Sequence, residues 1–184
     1  MGKVVERKIF MGANTAEGFV GWFDQIVDNY DLKKIYIIKG GNGVGKSTFI
    51  KNFTQRVGES GARPLTIDYL MCSADPNSFD GAIIHELGVA ILDGTKPHIV
   101  DPKYPGVVEE IIDFARFIDS SKVSATKEQL RELMAERKQC FERAYVELRK
   151  ARELHKKVES FMTPAVDFSG VDGLLDMLVK KHTS

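Results

Sequence analysis

Short, continuously apolar runs separated by clusters of Gly, Asp, Asn and Pro characterise the first hundred residues of the chain. This pattern predicts strands that alternate with helices in a parallel sheet, because a strand buried on both faces is apolar throughout. The strongest run, residues 35–38, is β-branched and aromatic and lies between Asp31 and Gly40. Strands are therefore predicted at residues 8–11, 35–38, 65–72 and 89–92.

Helical periodicity accompanies these runs. The spacing of apolar residues predicts helices at residues 47–57 and 107–118. Asn14, followed three residues later by Glu17, resembles a capping box and predicts the start of a further helix. The apolar positions of that helix would be Phe19, Phe23, Ile26 and Tyr30.

The second half of the chain has a different pattern, since residues 107–163 contain neither glycine nor proline. From Thr126 onward, apolar residues recur every three or four positions with charges between them, as in an amphipathic helix. They are Leu130, Met134, Phe141, Ala144, Leu148, Ala151, Val158 and Met162. Thr126 and Gln129 form a capping-box pattern and Pro164 ends the run. An unbroken helix of about 37 residues would be about 55 Å long, so we expect it to protrude or to bend into a hairpin.

Composition and charge narrow the class of protein. With 43% apolar and 28% charged residues among 184, the chain has the composition of one globular domain. Lys and Arg together number 26, as do Asp and Glu, so no overall positive field indicates a nucleic-acid partner. No apolar stretch approaches the roughly 20 residues that span a bilayer, and the charged start does not resemble a signal peptide. We therefore expect a cytoplasmic protein with no membrane partner.

Metal-site signatures based on sequence spacing do not occur. Cys72 and Cys140 are far apart and have no C-x-x-C partner, so they predict two reduced thiols. The four histidines also lack the spacing of metal ligands along the chain.

One motif carries specific chemistry: residues 40–47 match the phosphate-binding pattern G-x-x-x-x-G-K-[ST] between a predicted strand and a predicted helix. Glycines let the backbone wrap around a phosphate with its N–H groups inward. Lys46 can reach the β- and γ-phosphates, the Ser47 hydroxyl can coordinate Mg²⁺, and Thr48 can contact the α-phosphate. The predicted nucleotide-binding residues are Gly40, Gly41, Asn42, Gly43, Val44, Gly45, Lys46, Ser47 and Thr48.

With this motif in its strand–helix context, residues 33–118 resemble the P-loop NTPase superfamily. Residues 8–13, 18–20 and 89–102 are also similar to a little-characterised group of bacterial ATP-binding proteins, whose members resemble two P-loop halves in tandem. The resemblance implies that the chain binds ATP and corresponds to the first half alone. A second copy of the chain, or a separate second half, would then be its protein partner. The resemblance leaves the physiological reaction open.

A second Mg²⁺ ligand is expected at the end of a neighbouring strand. Asp93 directly follows the run at 89–92, which places its carboxylate at the same sheet edge as the loop. Asp68 is the rival, but it lies inside its apolar run. Gly94 stands where many motor and transporter ATPases of the superfamily have a glutamate that activates water. Fast hydrolysis is therefore not expected.

Two polar loops follow the second and third core strands and should face the same crevice. Ser73, Asp75 and Asp80 belong to the first, and Lys96, His98 and Asp101 to the second. A carboxylate or imidazole there could orient water or accept a proton from an acceptor hydroxyl. Asp75 and His98 are therefore candidate catalytic residues beside Lys46 and Asp93, although Asp and Pro in such loops also make turns by themselves.

The expected fold is α/β, a three-layer α/β/α P-loop arrangement with a mainly parallel sheet and a long C-terminal helical extension. The predicted units are a nucleotide-binding core at residues 1–123, the long helix or hairpin at 124–163, and a segment at 164–184 that packs back on the core. A fifth strand would come from residues 165–168 or from another chain. Lys and Arg exceed Glu by four in residues 122–162, which suits a solvated face, a lid over the phosphates or a basic arm.

The predicted function is Mg²⁺-dependent ATP binding with slow hydrolysis. ATP is favoured over GTP because the guanine-reading N-K-x-D motif does not occur. One alternative is a kinase for a small molecule or a nucleotide, in which the helical extension closes as a lid. The other alternative is a nucleotide-dependent switch or assembly module with negligible turnover.

Overall fold

A computed structural model describes residues 2–29, 31–60 and 63–183. The strands are β1 (Val4–Ile9), β2 (Gly12–Thr15), β3 (Gly18–Gly21), β4 (Lys34–Lys39), β5 (Leu65–Met71), β6 (Phe79–Ile84), β7 (Val89–Asp93) and β8 (Glu109–Asp113). The helices are α1 (Gln25–Asn29), α2 (Lys46–Ser60), α3 (Ser120–Ser124), α4 (Lys127–Met162) and α5 (Phe168–Thr183). Short 3₁₀ turns lie at His85–Leu87, Phe114–Phe117 and Thr163–Ala165.

Six strands form one mostly parallel sheet in the order β1-β5-β6-β7-β4-β8. Strand β6 runs antiparallel to both β5 and β7, and the other neighbours in the sheet are parallel. The carboxyl ends of the parallel strands and the amino end of β6 therefore meet at one edge. We call this the carboxyl edge.

Alternate residues of the strands divide the core into two layers. On one face, Ile38, Ile67 and Ile91 pack with Ile50 of α2. On the other face, strand residues such as Ile37 pack with side chains from α1, the β2–β3 hairpin and the loop after β7. This second group is Phe19, Phe23, Ile26 and Val100.

The mixed α/β class is confirmed, as are the predicted strands at 35–38, 65–72 and 89–92 and the helix at 47–57, which lie in β4, β5, β7 and α2. The strand predicted at 8–11 is displaced, since β1 ends at Ile9. The second face of the sheet carries the five-residue helix α1 and the hairpin in place of a full layer of helices.

The helix predicted to begin at Asn14 is wrong in its first part: α1 begins at Gln25 and contains Ile26, and the predicted position Tyr30 lies outside the described residues. Asn14 lies in β2 and pairs with Phe19 of β3, while a hydrogen bond from Trp22 N to Met11 O (2.8 Å) extends the hairpin. A tight turn joins the strands, in which Thr15 Oγ1 donates to the Gly18 carbonyl (2.8 Å). Cross-strand pairing thus overrides a local pattern that also suits a helix start.

The helix predicted at residues 107–118 is also wrong, because residues 109–113 form β8 beside β4. Glu109 is buried, and its Oε2 accepts a hydrogen bond from Tyr104 N (3.0 Å). Apolar residues three and four apart fit a helix, but here Ile111 and Ile112 pair with Ile37 and Ile38 instead. The sequence pattern also failed to predict β6. Gly81 lies in this strand, and it is packed so closely that a Cβ there would lie 2.9 Å from Ile91 O.

Beyond the sheet, α4 is one unbroken helix of 36 residues, as the first of the two predicted forms requires. Residues 164–183 form a turn and α5 and are exposed throughout, so the predicted packing of this segment on the core and a strand at 165–168 are not observed. Among the described helices, none is both long enough and apolar enough to cross a membrane. The domain boundaries at 123 and 163 stay predictions.

A buried carboxylate ties β1 to the centre of the sheet. Asp68 of β5 is 3% exposed and accepts a hydrogen bond from Arg7 Nη2 (2.8 Å), while its Oδ2 lies 2.7 Å from His85 Nε2. Burial alone would raise the pKa of Asp68, but the hydrogen bonds and charges of Arg7 and His85 outweigh it and hold the pKa below its ordinary value. Asp68 is therefore a structural mid-strand residue, as its sequence context indicated.

We predict that Asp68→Asn lowers the free energy of unfolding by about 2 kcal/mol at neutral pH, the order expected for hydrogen bonds to a charged group. The native pKa lies below the unfolded value of about 3.9, so this contribution is complete above that value and is lost as pH falls through the native pKa. Urea denaturation between pH 7 and pH 3 measures the difference. Asp176→Asn on exposed α5 is the control, and a difference as large at pH 3 as at pH 7 would contradict the prediction.

Candidate functional site

A cavity of about 600 Å³ lies at the carboxyl edge of the sheet, between residues 40–47, here called the glycine loop, and the long helix α4. Its lining comes from the glycine loop and α2, from the β2–β3 hairpin, from the loops after β5 and β7, and from α4. The sequence brings these segments together because β4, β5 and β7 all end at this edge and β6 begins there.

The glycine loop connects β4 to α2 as the sequence predicts. Gly43 and Gly45 have φ angles of 80° and 87°, in the left-handed region that side chains disfavour. Of the predicted binding residues, Asn42, Gly43, Gly45, Lys46, Ser47 and Thr48 line the cavity. The loop thus presents backbone and the amino end of a 15-residue helix to the cavity, an arrangement that favours anions.

Lys46 is the buried cation of the site. Its Nζ donates hydrogen bonds to the carbonyl oxygens of Gly40 and Gly41 (2.7 Å each) and lies 3.5 Å from Asp93 Oδ2. The residue is 8% exposed. Its ammonium group therefore contacts the glycine loop and lies next to Asp93, the predicted Mg²⁺ ligand.

The two predicted Mg²⁺ ligands, Ser47 and Asp93, both line the cavity. Ser47 Oγ accepts a hydrogen bond from Phe79 N at the start of β6 (2.9 Å), and Asp93 Oδ1 accepts one from Thr95 N (2.9 Å). The Thr95 hydroxyl in turn donates to Gly40 O (3.0 Å). These bonds fix the end of β7 and the start of β6 to the two ends of the glycine loop.

Close packing explains the glycine that follows Asp93. A Cβ on Gly94 would overlap Cγ2 of Ile37, and it would lie 3.2 Å from Val100 O and 3.3 Å from Lys39 Nζ. Lys39 Nζ itself donates to the carbonyl oxygens of Gly94 and Val100 (2.9 Å each). The position therefore has no room for a glutamate side chain.

The two polar loops contribute only part of what the sequence predicted. Ser73, Asp80, Lys96 and His98 line the cavity. Asp75 does not, because it is exposed and its Oδ1 accepts from Asn77 N (3.0 Å) as part of a turn. Asp101 is also exposed and pairs with Lys39 (3.2 Å). His98 thus lies at the cavity, while Asp75 has the geometry of a turn-forming Asp, and the catalytic roles of both stay predictions.

His98 and Asp80 form a buried pair at the wall of the cavity. His98 is 7% exposed and Asp80 is 5% exposed, and His98 Nε2 lies 3.2 Å from Asp80 Oδ2. The rings of Phe19 and Phe23 pack against the imidazole, with centroids 5.2 and 4.8 Å away. Cys72 lies beside them, and burial, together with the charge of Asp80, raises the pKa of its thiol.

The long helix α4 forms a further wall of the cavity. From the sequence, a lid over the phosphates was one of three roles predicted for this helix. Five residues of α4 line the cavity: Met134, Arg137, Lys138, Phe141 and Tyr145. The guanidinium of Arg137 lies 5.1 Å from the ring centroid of Phe141. The basic excess along the helix was the signal for these cations, but nothing in the spacing distinguished them from other basic residues of the helix.

The hairpin holds α4 in this position. Tyr145 Oη donates to Asn14 Oδ1 (2.9 Å), and Asn14 Nδ2 donates to the carbonyl of Ser73 (3.0 Å). One turn further along α4, Arg149 Nη1 donates to Ala16 O (3.2 Å), and Arg152 forms an ion pair with Glu17. Asn14 and Glu17, expected to cap a helix of their own, thus anchor a different helix.

Comparisons of the chain with protein-family models, with curated proteins and with solved structures gave no match. Membership of the P-loop NTPase superfamily therefore stays a prediction. Support for a function comes from the geometry of this chain alone.

We predict that Tyr145→Phe loosens α4 over the cavity, because it removes the hydroxyl that donates to Asn14. Loss of one such hydrogen bond, worth about 1 kcal/mol, should raise amide exchange in residues 134–145 about fivefold. Hydrogen exchange followed by mass spectrometry measures the change. Tyr104→Phe, at a position that is 64% exposed, is the matched control. Equal exchange in the two variants would show that the Tyr145 hydroxyl does not hold the helix.

Proposed function

We propose that the protein is a Mg²⁺-dependent, ATP-binding P-loop protein that hydrolyses ATP slowly. The observation that carries the proposal is the position of Lys46 beside Asp93 at the base of the cavity, where the glycine loop opens. Phosphate oxygens would replace the carbonyl oxygens of Gly40 and Gly41 as acceptors for Lys46 Nζ. A three-layer P-loop fold, with the hairpin and α1 taking the place of one helical layer, belongs to the same proposal.

The charge of the cavity supports a polyanionic ligand. The described residues that line it include four Lys or Arg side chains and two carboxylates. Lys46 lines the cavity from the glycine loop, and Arg137 and Lys138 line it from α4. A triphosphate between them would be neutralised from both sides, which is how transferring phosphoryl groups are stabilised.

The donor set at the loop fits Mg²⁺, which prefers oxygen ligands. Ser47 Oγ accepts one hydrogen bond, from Phe79 N, and its second lone pair is left for a metal. Asp93 keeps Oδ2 for a ligand, directly or through water, while its Oδ1 caps the following turn. When bound, the metal would neutralise charge on the β- and γ-phosphates.

Slow hydrolysis follows from the carboxylates that remain. Asp80 and Asp93 are the acids among the described lining residues. Asp93 Oδ2 lies 3.5 Å from Lys46 Nζ, and Asp80 Oδ2 lies 3.2 Å from His98 Nε2 without a hydrogen bond between them. Gly94 leaves no space for a further acid. Among these groups, His98 is the one that would orient the attacking water, and it would do so weakly.

We predict that Lys46→Ala weakens ATP binding on the order of 100-fold, since it removes charge-assisted hydrogen bonds to phosphate. Isothermal calorimetry with Mg-ATP measures the affinity, and a phosphate-release assay measures turnover, which should be slow in the wild type. Lys51→Ala, on the exposed side of the same helix, is the matched control. Unchanged ATP affinity in Lys46→Ala would show that the glycine loop does not bind the nucleotide.

A second candidate function, a nucleotide-dependent switch, is favoured by the fact that α4 and the glycine loop line one cavity. A ligand that contacts both would bind the docked position of α4 more tightly than an undocked one. The apolar residues of α4 beyond the docked part, such as Leu154 and Val158, are exposed. Through these exposed side chains, a change in the position of α4 would reach a protein partner bound to the helix.

We predict that Mg-ATP slows amide exchange in residues 134–145 of the wild type by about tenfold, and that Arg137→Ala removes most of this protection because the helix then loses a phosphate contact. Arg131→Ala is the control, since Arg131 pairs with Glu128 outside the cavity. Protection that is as strong in Arg137→Ala as in Arg131→Ala would contradict a role of this cation. Light scattering in the same samples shows whether ATP also changes the oligomeric state.

A further inference from the structure

Three metal-ligating side chains converge on the wall of the cavity. Cys72 directly follows β5, Asp80 is the second residue of β6, and His98 lies in the loop after β7. One ligand atom of each, a thiol sulfur, a carboxylate oxygen and an imidazole nitrogen, lies within 4.8 Å of the other two. Ligand atoms of one tetrahedral ion lie about 3.3–3.8 Å apart when the bonds are about 2.0–2.3 Å long, so small side-chain movements would bring all three onto one ion.

The polar atoms of this cluster are incompletely satisfied. Asp80 Oδ2 and His98 Nδ1 are buried and have no hydrogen-bond partner among the described residues. His98 Nε2 and Asp80 Oδ2 are 3.2 Å apart, but their orientation makes no hydrogen bond. Buried polar groups are normally paired, so an unpaired carboxylate oxygen aimed at an imidazole and a thiol is a signal that a ligand belongs there.

The surrounding structure holds Cys72 and His98 in place. Cys72 N donates to Ser78 O (3.0 Å), which closes the β5–β6 connection next to the pairing of Met71 with Phe79. The imidazole of His98 is held between the rings of Phe19 and Phe23. The cluster therefore needs little rearrangement to bind a ligand, and rigid positioning of this kind favours a selective site.

We propose that Cys72, Asp80 and His98 form a site for a borderline transition-metal ion of the zinc type. A thiolate and an imidazole are poor ligands for Mg²⁺ or Ca²⁺, whereas zinc and its substitute cobalt accept sulfur, nitrogen and oxygen together. Three protein ligands leave a fourth position, which faces the cavity because all three side chains line it. Zinc sites with three protein ligands and an open position are typical of catalytic centres.

This metal site is separate from the proposed Mg²⁺ site in its residues and in its chemistry. The Mg²⁺ ligands Ser47 and Asp93 offer only oxygen, while the cluster adds sulfur and nitrogen. Binding of a transition metal to Cys72, Asp80 and His98 needs no nucleotide. The metal site can therefore be tested independently of ATP binding.

The test is cobalt binding to the chelator-treated, full-length protein in the absence of nucleotide. We expect about one Co²⁺ per chain, with the strong visible absorption of tetrahedral cobalt and a thiolate-to-cobalt charge-transfer band in the near ultraviolet. Cys72→Ser should abolish the charge-transfer band, and Asp80→Asn and His98→Gln should weaken binding at least tenfold. Cys140→Ser, which changes the exposed cysteine, should leave the spectrum unchanged.

Protection of the thiol provides a second measurement that needs no substitution. Zn²⁺ should slow alkylation of Cys72 at least tenfold relative to Cys140, as followed by peptide mass spectrometry. Circular dichroism shows whether each variant is folded. If a variant does not fold, the alkylation measurement on the wild-type protein tests the site in its place. Three outcomes would overturn the proposal. They are an octahedral cobalt spectrum without a charge-transfer band, a charge-transfer band that survives in folded Cys72→Ser, and Zn²⁺ that slows the alkylation of Cys72 no more than that of Cys140.

Discussion

The cavity depends on one amide side chain, that of Asn14. Its Nδ2 donates to the loop after β5 and its Oδ1 accepts from α4, so a single residue joins the sheet, the hairpin and the long helix. Without this bridge α4 would have little to dock on, because only Phe141, Tyr145 and Arg152 of its 36 residues are even partly buried. These three lie within about 40° of one another around the helix at 100° per residue, so α4 touches the domain along one line. A contact of this kind positions a helix firmly while leaving most of its surface in solvent.

Reversal of a single strand determines the chemistry at the carboxyl edge. In an all-parallel sheet this edge collects only strand ends, and amino ends lie on the far side. Because β6 runs the other way, its first residues come to the edge: Phe79 N donates to Ser47 Oγ, and Asp80 faces His98. The antiparallel strand thus joins the start of α2 to the middle of the sheet and supplies a carboxylate that no crossover connection would place there.

The sequence predicts the elements whose pattern has one interpretation. Strands β4 and β7 each contain a run of four apolar residues, and β5 is apolar apart from Thr66 and Asp68. The glycine loop has a spacing that few other structures use. Where a pattern suits two structures, pairing decides: residues 109–113 and 14–20 have helical spacing or caps, yet they form strands because a partner strand is available. Asp93 could be placed because it ends a strand. The cluster of Cys72, Asp80 and His98 could not, because its members come from three separate segments and no spacing rule relates them.

Two groups of buried side chains in the cavity have opposite electrostatic requirements. At the glycine loop, Lys46 and the amino end of α2 form a positive region that one carboxylate, Asp93, only partly offsets. In the second group, the Asp80 carboxylate lies with a thiol and an imidazole in a setting that burial makes unfavourable for negative charge. On the two proposals above, an anion would stabilise the first group and a cation the second. Since Arg137 and Lys138 of α4 line the same cavity, a ligand that carries both phosphates and a metal-coordinating group would suit both proposed sites.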